Sequence, residues 1–176
     1  MAGLYHVNSG TLKNNSELLN TYRDISYIPS STLLYDDSID SNILMNGDGN
    51  VNNVLSLAEF NKSQLQSDVS ATSLSGGQAQ RVNIARGLIN KTPLLLADEP
   101  VSGLSVAQGE IVIKNIINES ETAIIVTHNP THLRFFSRIV LLENGKVVTS
   151  GTLNEIYSHP VYTQWSGEFY EENESM

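Results

Sequence analysis

The run Leu94-Leu95-Leu96-Ala97 is apolar at every position and ends on Asp98-Glu99-Pro100. A strand with one wet face alternates apolar and polar residues, whereas a strand covered on both faces reads as an unbroken apolar run. Leu94–Ala97 is therefore expected to be a central parallel strand. A second such run, Thr122-Ala123-Ile124-Ile125-Val126-Thr127, follows a helical stretch whose core stripe is Val112, Ile113, Ile116 and Ile117. Strand, helix, strand makes a βαβ unit, which requires a parallel sheet and a right-handed crossover. Ligands of such sheets bind beyond the carboxyl ends of the strands. Asp98, Glu99 and His128 stand at those ends, so two carboxylates and an imidazole are expected around one crevice.

A chain of 176 residues buries a real core and fits one domain, with room for a subdomain. Its net charge of −9 argues against a nucleic-acid partner, whose footprint is a basic face. Any phosphate site must be local. With no cysteine there is neither a disulfide framework nor a thiolate metal site, and the composition fits a reducing compartment. No apolar run reaches bilayer-spanning length, and residues 1–30 lack the basic flank and apolar core of a signal peptide. The expectation is a cytoplasmic protein that serves a membrane only by docking on a partner.

The local device most suited to phosphate is Leu74-Ser75-Gly76-Gly77-Gln78-Ala79-Gln80-Arg81. A Ser-Gly-Gly loop opening a helix presents backbone N–H groups and a hydroxyl with little side-chain bulk, at the positive end of the helix dipole. A capped turn is the bland alternative, and the following Gln-x-Gln-Arg favours the phosphate-facing reading. The helix it opens carries Val82, Ala85, Leu88 and Ile89 on one face. Arg81 and Arg86 read as ion-pairing residues elsewhere on it, and Asn90-Lys91-Thr92-Pro93 stops it.

Upstream, Leu4–Val7 is a candidate strand before a Ser9-Gly10 turn and a polar tract around Asn14-Asn15-Ser16. Asp24–Pro29 reads as a strand ended by proline, with an edge hairpin as the alternative. Asp36-Asp37-Ser38 caps a helix through Ile39, Ile43 and Leu44 that ends by Gly47. Val51 to Leu57 starts a second helix with Val51, Val54, Leu55 and Ala58 on one side, and residues 61–73 form a polar surface linker. Downstream, Arg138–Glu143 and Lys146–Ser150 flank Asn144-Gly145, the pair a type I′ hairpin turn demands. Thr152-Leu153-Asn154-Glu155 is a capping box for a short helix broken at Pro160. Tyr162, Trp165, Phe169 and Tyr170 suit a C-terminal packing helix, and the acidic tail from Glu168 is expected to fray. His6, His132 and His159 read as surface or packing residues.

In order and spacing, Leu74–Arg81, the apolar run ending Asp98-Glu99-Pro100, and Val126-Thr127-His128 resemble the signature, Walker B and switch-histidine motifs of ABC ATPases. Gln80-Arg81-Val82-Asn83-Ile84-Ala85-Arg86-Gly87-Leu88 looks like the transporter branch. Tyr27-Ile28-Pro29 with Leu34-Tyr35-Asp36-Asp37-Ser38-Ile39 is similar to the Q-loop region of exporters. The resemblance implies an α/β, P-loop NTPase-like parallel sheet with a helical subdomain. It divides the chain into the remainder of an N-terminal ATPase core (1–35), a helical subdomain with the signature motif (36–90) and a RecA-like core with Walker B (91–176). It also implies roles. Asp98 would hold Mg²⁺, Glu99 would orient and polarise the water attacking the γ-phosphate, and His128 would contact that phosphate. Ser75, Gly76, Gly77 and Gln78 would face ATP bound by a second ABC ATPase subunit in a head-to-tail dimer. A transmembrane transporter domain would be the other partner.

The departures from the family pattern are specific. No G-x-x-x-x-G-K-[ST] run, the Walker A loop, occurs in the sequence, and Gly145-Lys146 belongs to a hairpin turn. The chain is expected to begin just after the segment where the family carries that loop. Ser30 stands in place of the Q-loop glutamine, with a side chain too short to reach a metal in the same way. The D-loop reads Ser102-Gly103-Leu104-Ser105 and so lacks its usual carboxylate. Three readings follow from the resemblance: the ATP-binding part of an ABC exporter that couples ATP binding and hydrolysis to transport, a non-hydrolysing partner that donates its signature loop in trans, or an incomplete fragment unable to bind ATP alone.

Overall fold

A computed structural model describes residues 13–14, 17–18, 25–45, 47–62 and 70–174. The expected strand Leu4–Val7, the Ser9-Gly10 turn and most of the 61–73 linker lie outside the described residues. The chain divides into two compact units, Met1–Val126 and Thr127–Met176.

In the first unit, β1 (Lys13–Asn14) and β2 (Glu17–Leu18) pair antiparallel inside the stretch read as a polar tract. The next strand, β3 (Ile25–Ile28), ends before Pro29. Two short helices follow, each opened as its sequence specifies. Ser38 caps α1 (Ile39–Leu44) by accepting the Ser41 N–H, and Asn50 caps α2 (Val51–Leu57) by accepting the Asn53 N–H. Then come α3 (Gly76–Leu88), β4 (Leu94–Asp98), α4 (Val106–Glu119) and β5 (Thr122–Val126).

The sheet order is β3-β4-β5, and both pairings are parallel. This excludes the edge-hairpin alternative for Asp24–Pro29. In register, Ile28 stands beside Ala97, and Asp98 beside Val126, so the three strands end together. The middle strand behaves as its apolar run demands, with Leu94, Leu95, Leu96 and Ala97 all buried. The expectation for Thr122–Thr127 needs correction. Ile124 is 37% exposed and Val126 50%, while Ala123 and Ile125 are half-buried. Exposed Thr122, Ile124 and Val126 alternate with half-buried Ala123 and Ile125, so one face of β5 is open, and among the described residues β5 is also an edge strand.

The glycine loop's helix is buried almost all round, since Val82, Asn83, Ile84, Ala85, Gly87 and Leu88 are all inside. Burial on so many sides explains Gly87. A Cβ there would overlap the Ile28 side chain, so α3 and β3 approach as closely as a bare Cα permits.

In the second unit, a 3₁₀ turn over Pro130–Phe135 leads to β6 (Ile139–Glu143) and β7 (Lys146–Gly151), an antiparallel hairpin with an irregularity at Leu141/Leu142. Asn144 has φ 49° and Gly145 φ 74°, the two left-handed residues that a type I′ turn requires. After α5 (Leu153–Ile156), Pro160 opens α6 (Pro160–Glu174), where its missing N–H costs nothing. Leu133, Ile139, Leu141, Ile156 and Tyr162 form the core of this unit, with Trp165 packed against it. The helix continues through the acidic stretch that was expected to fray. Trp165 and Phe169 are one turn apart and both half-buried, and Gln164 donates to Glu168 Oε1 at 3.0 Å.

Candidate functional site

The glycine loop forms a complete capping box. Ser75 N–H donates to Gln78 Oε1 at 3.0 Å, and Gln78 N–H donates to Ser75 Oγ at 3.4 Å. Each side chain thus uses an acceptor inside the box. The Ser75 O–H and the Gln78 amide N–H₂ remain as donors that no described residue engages. Gly76 has nothing within 4 Å of where its Cβ would stand. Gly77 is crowded, because a Cβ there would lie 3.1 Å from the Gly103 carbonyl oxygen. The loop therefore presents donors outward while its second glycine rests on the D-loop backbone.

Asp98 closes β4 half-buried, and Glu99 turns the chain sharply. Its φ is 47°, a left-handed conformation that costs a non-glycine residue roughly 1–2 kcal/mol. Surrounding bonds hold it there. Glu99 N–H donates to the Val126 carbonyl at 3.0 Å, and the Glu99 carbonyl accepts from Ser102 N–H at 3.3 Å. Pro100 is buried immediately after. Both carboxylates therefore lie at the carboxyl end of the sheet, as the sequence predicts.

No group of three or more His, Cys, Asp or Glu able to hold a metal occurs among the described residues. A single strand-end carboxylate still suits Mg²⁺, which keeps most of its waters and takes one or two carboxylates together with substrate phosphates. Asp98 fits that donor set. Ser30 is exposed, two residues beyond the end of β3.

Polar side chains of α3 that the motif reading passed over fasten the segment around Ser30. Asn83 Nδ2 donates to the Pro29 carbonyl at 3.0 Å, Gln80 Oε1 accepts from Thr32 Oγ1 at 2.6 Å, and Arg86 Nη1 donates to the Leu33 carbonyl at 2.8 Å. Gln80, Asn83 and Arg86 recur at every third position, so they line one side of the helix. A polar stripe of that period within an otherwise apolar helix was the available signal.

The ion-pair reading of the two arginines is corrected. Arg86 bonds neutral acceptors on Asn42 and Leu33, and burial pulls its guanidinium below its ordinary value. Arg81 donates from Nη2 to Gln108 Oε1 at 2.8 Å. Gln108 Oε1 also accepts from Ser105 Oγ at 3.0 Å, and Ser105 is the N-cap of α4. The residue that replaces the D-loop carboxylate thus does a capping job for which Ser and Asp are nearly equivalent.

His128 is exposed in the second unit. The bend that carries it is fixed locally. Asn129 N–H donates to Thr127 Oγ1 at 3.1 Å, and Thr131 N–H donates to Asn129 Oδ1 at 2.9 Å. His132 is buried, with Nδ1 3.3 Å from Thr127 Oγ1, so it packs as expected and supports the bend.

A parallel sheet with carboxylates at its strand ends, joined to a capped glycine-loop helix, has the α/β fold class of the P-loop proteins. Residues 1–102 match the sequence profile described as ABC transporter, and the chain belongs to that family. It is 31% identical over 180 residues to the ATP-dependent permease MDL1 of Candida albicans, a match covering 89% of this chain and 26% of the relative. It is 30% identical over 149 residues to a lactococcin transport/processing ATP-binding protein, LcnC-like, of Lactococcus lactis, covering 76% of this chain and 21% of the relative. Over 89 residues it is 38% identical to the alpha-hemolysin translocation ATP-binding protein HlyB of Escherichia coli, covering 49% and 13%. In fold it resembles a bacterial Atm1-family ABC exporter with ATP bound, at 23% identity and a TM-score of 0.76, over 84% of this chain and 29% of the other. The chain thus spans about a quarter or less of the length of these curated relatives. No helix among the described residues is long and apolar enough to cross a membrane.

Proposed function

We propose that this chain is part of the ATP-binding region of an ABC exporter, coupling ATP binding and hydrolysis to transport through a membrane partner. The observation that carries the reading is the capping box at Ser75 and Gln78. It spends one acceptor of each side chain internally and leaves a hydroxyl and an amide as donors at the positive end of α3, the arrangement a phosphate acceptor needs. In this reading Ser75, Gly76, Gly77 and Gln78 face ATP held by a second ABC ATPase subunit in a head-to-tail pair. No G-x-x-x-x-G-K-[ST] run that would cradle phosphates occurs in these 176 residues. Residues 36–90 act as the helical subdomain between the core segments 1–35 and 91–176.

Asp98 is the residue that holds Mg²⁺, with Ser30 facing the same region from the end of β3. The metal supplies charge neutralisation on the phosphate oxygens. Glu99 accepts a hydrogen bond from the attacking water and polarises it, and its fixed left-handed backbone keeps the carboxylate from swinging away. His128 donates to the γ-phosphate. Phosphoryl transfer needs positioning and charge stabilisation more than covalent help, and these groups supply that kind of assistance.

The test is Ser75→Arg in the assembled pair. Hydrolysis is expected to fall by an order of magnitude or more, because the donor loop is blocked, while ATP still binds at the second subunit's phosphate-cradling loop. Hydrolysis unchanged in Ser75→Arg would overturn the trans arrangement.

A further inference from the structure

Gln80 is buried and makes two bonds of opposite sense. Its Nε2 donates to the Pro100 carbonyl at 2.8 Å, and its Oε1 accepts from Thr32 Oγ1 at 2.6 Å. Only a side-chain amide offers a donor and an acceptor at the same reach, since a carboxylate cannot donate and an aliphatic residue does neither. The two partners belong to different parts of the site. Thr32 lies two residues after Ser30, in the segment beyond β3, while Pro100 immediately follows Glu99.

Among the described residues, the Glu99–Pro100 corner is one of three places in the unit, with Met45 and Glu59, where a non-glycine residue is left-handed, and it is the one at the strand ends. Glu99 sits at φ 47°, and the turn it starts is completed by Ser102 N–H to the Glu99 carbonyl at 3.3 Å and Leu104 N–H to the Val101 carbonyl at 3.0 Å. A left-handed non-glycine residue persists only where its surroundings over-determine it. Gln80 is the side chain from α3 that pins this corner, and the pin is itself held by Thr32.

We infer that Gln80 is a positioning residue that transmits displacement of the Thr32 segment to the Glu99–Pro100 corner, and so sets the direction of the Glu99 carboxylate. The inference deepens the proposed function and rests on it for the role of Glu99, whereas the mechanical link stands on geometry alone. A shift of Thr32 pulls the amide, the amide pulls the Pro100 peptide, and the left-handed residue before it, once less firmly held, relaxes toward its lower-energy right-handed or extended wells. Glu99 would then be held for reaction only when the segment beyond β3 is docked on α3.

The experiment is amide hydrogen exchange of the full 176-residue chain, read at Ser102 and Leu104. Thr32→Val removes the hydroxyl without touching Pro100, and exchange at both amides is expected to rise about fivefold, the change one ordinary hydrogen bond makes to a local opening equilibrium. Thr32→Ser keeps the hydroxyl and should retain wild-type protection. Gln80→Glu keeps an acceptor for Thr32 but loses the donor to Pro100, so it should also speed exchange, and adding Thr32→Val to it should bring no further change. Unchanged exchange in Thr32→Val, a uniform rise across all protected amides of the unit, or additive effects in the double variant would each overturn the link. Glu99 having no part in hydrolysis would appear in turnover measurements and leave these exchange rates as they are, so the two failures are distinct.

Discussion

Arg86 grips Asn42 twice, from Nε to the backbone carbonyl at 2.7 Å and from Nη2 to the side-chain Oδ1 at 3.1 Å. The same Oδ1 accepts the Tyr35 N–H at 2.8 Å, and Asn42 Nδ2 donates to the carbonyls of Tyr35 and Ser38, both at 3.0 Å. Asn42 is fully buried, so α1, α3 and the stretch before α1 meet at one saturated amide. Asn42→Ala should strip partners from several buried groups and cost about 2–3 kcal/mol, within the range for buried polar atoms left unpaired. Denaturant unfolding checks this. Arg86→Lys should also destabilise, because an ammonium cannot reproduce the forked contact to Asn42 and Leu33.

Gly87 supplies a prediction with the opposite sign from helix propensity. Gly→Ala in an exposed helix interior gains about 1 kcal/mol. At this position the added methyl meets Ile28, so Gly87→Ala should instead destabilise by about 1–3 kcal/mol, the usual cost of overpacking. Thermal melts of Gly87→Ala, Ile28→Ala and the double variant should show a double loss smaller than the sum of the two single losses, because Ile28→Ala removes the γ carbon that the new methyl meets.

The capping box of α5 predicts a pH dependence. Thr152 donates to Glu155 Oε2 from both its N–H, at 2.7 Å, and its hydroxyl, at 3.0 Å. These bonds favour the ionised form and hold the Glu155 carboxyl below its ordinary value, with nearby Arg138 adding to the effect. A depressed carboxylate contributes stability that is fully present above the unfolded-state value and is lost as pH falls through the folded one. Acidification should therefore loosen the first turn of α5 only below the ordinary glutamate range. Titration of Glu155 by NMR should show a depressed midpoint that moves back up in Thr152→Val.

Ser105 tests the D-loop departure. As the N-cap of α4, with its Oγ accepting the Gln108 N–H, it should tolerate Asp with little change in stability. Ser105→Ala should cost about 1 kcal/mol. Chemical unfolding of the two variants separates the capping role from any role in hydrolysis.

The signals legible in the sequence were short-range ones. Leu94–Ala97, the cap at Ser38, the Asn144-Gly145 turn and the Thr152 box each depend on neighbours within a few residues, and each forms as read. The misread features depend on what covers a surface or meets a side chain from far along the chain. The run Thr122–Thr127 has the same apolar pattern as β4 yet lies at an edge among the described residues, and pattern alone cannot supply a covering layer. Arg86 reads as a surface cation until Asn42, 44 residues away, is brought against it. At the candidate site the carboxylates and the glycine loop were legible from type and order. Gln80 was not, because its meaning lies in Thr32 and Pro100, 48 and 20 residues away.

In the proposed function, Glu99 is the carboxylate that activates water for attack on ATP. The most direct measurement compares wild type with Glu99→Gln in the assembled pair, following Mg²⁺-dependent ATP turnover and equilibrium ATP binding on the same preparations. Turnover is expected to fall by at least about 10²-fold in Glu99→Gln, as when a general base is lost, with ATP affinity essentially retained. Equal turnover in the two proteins would contradict it.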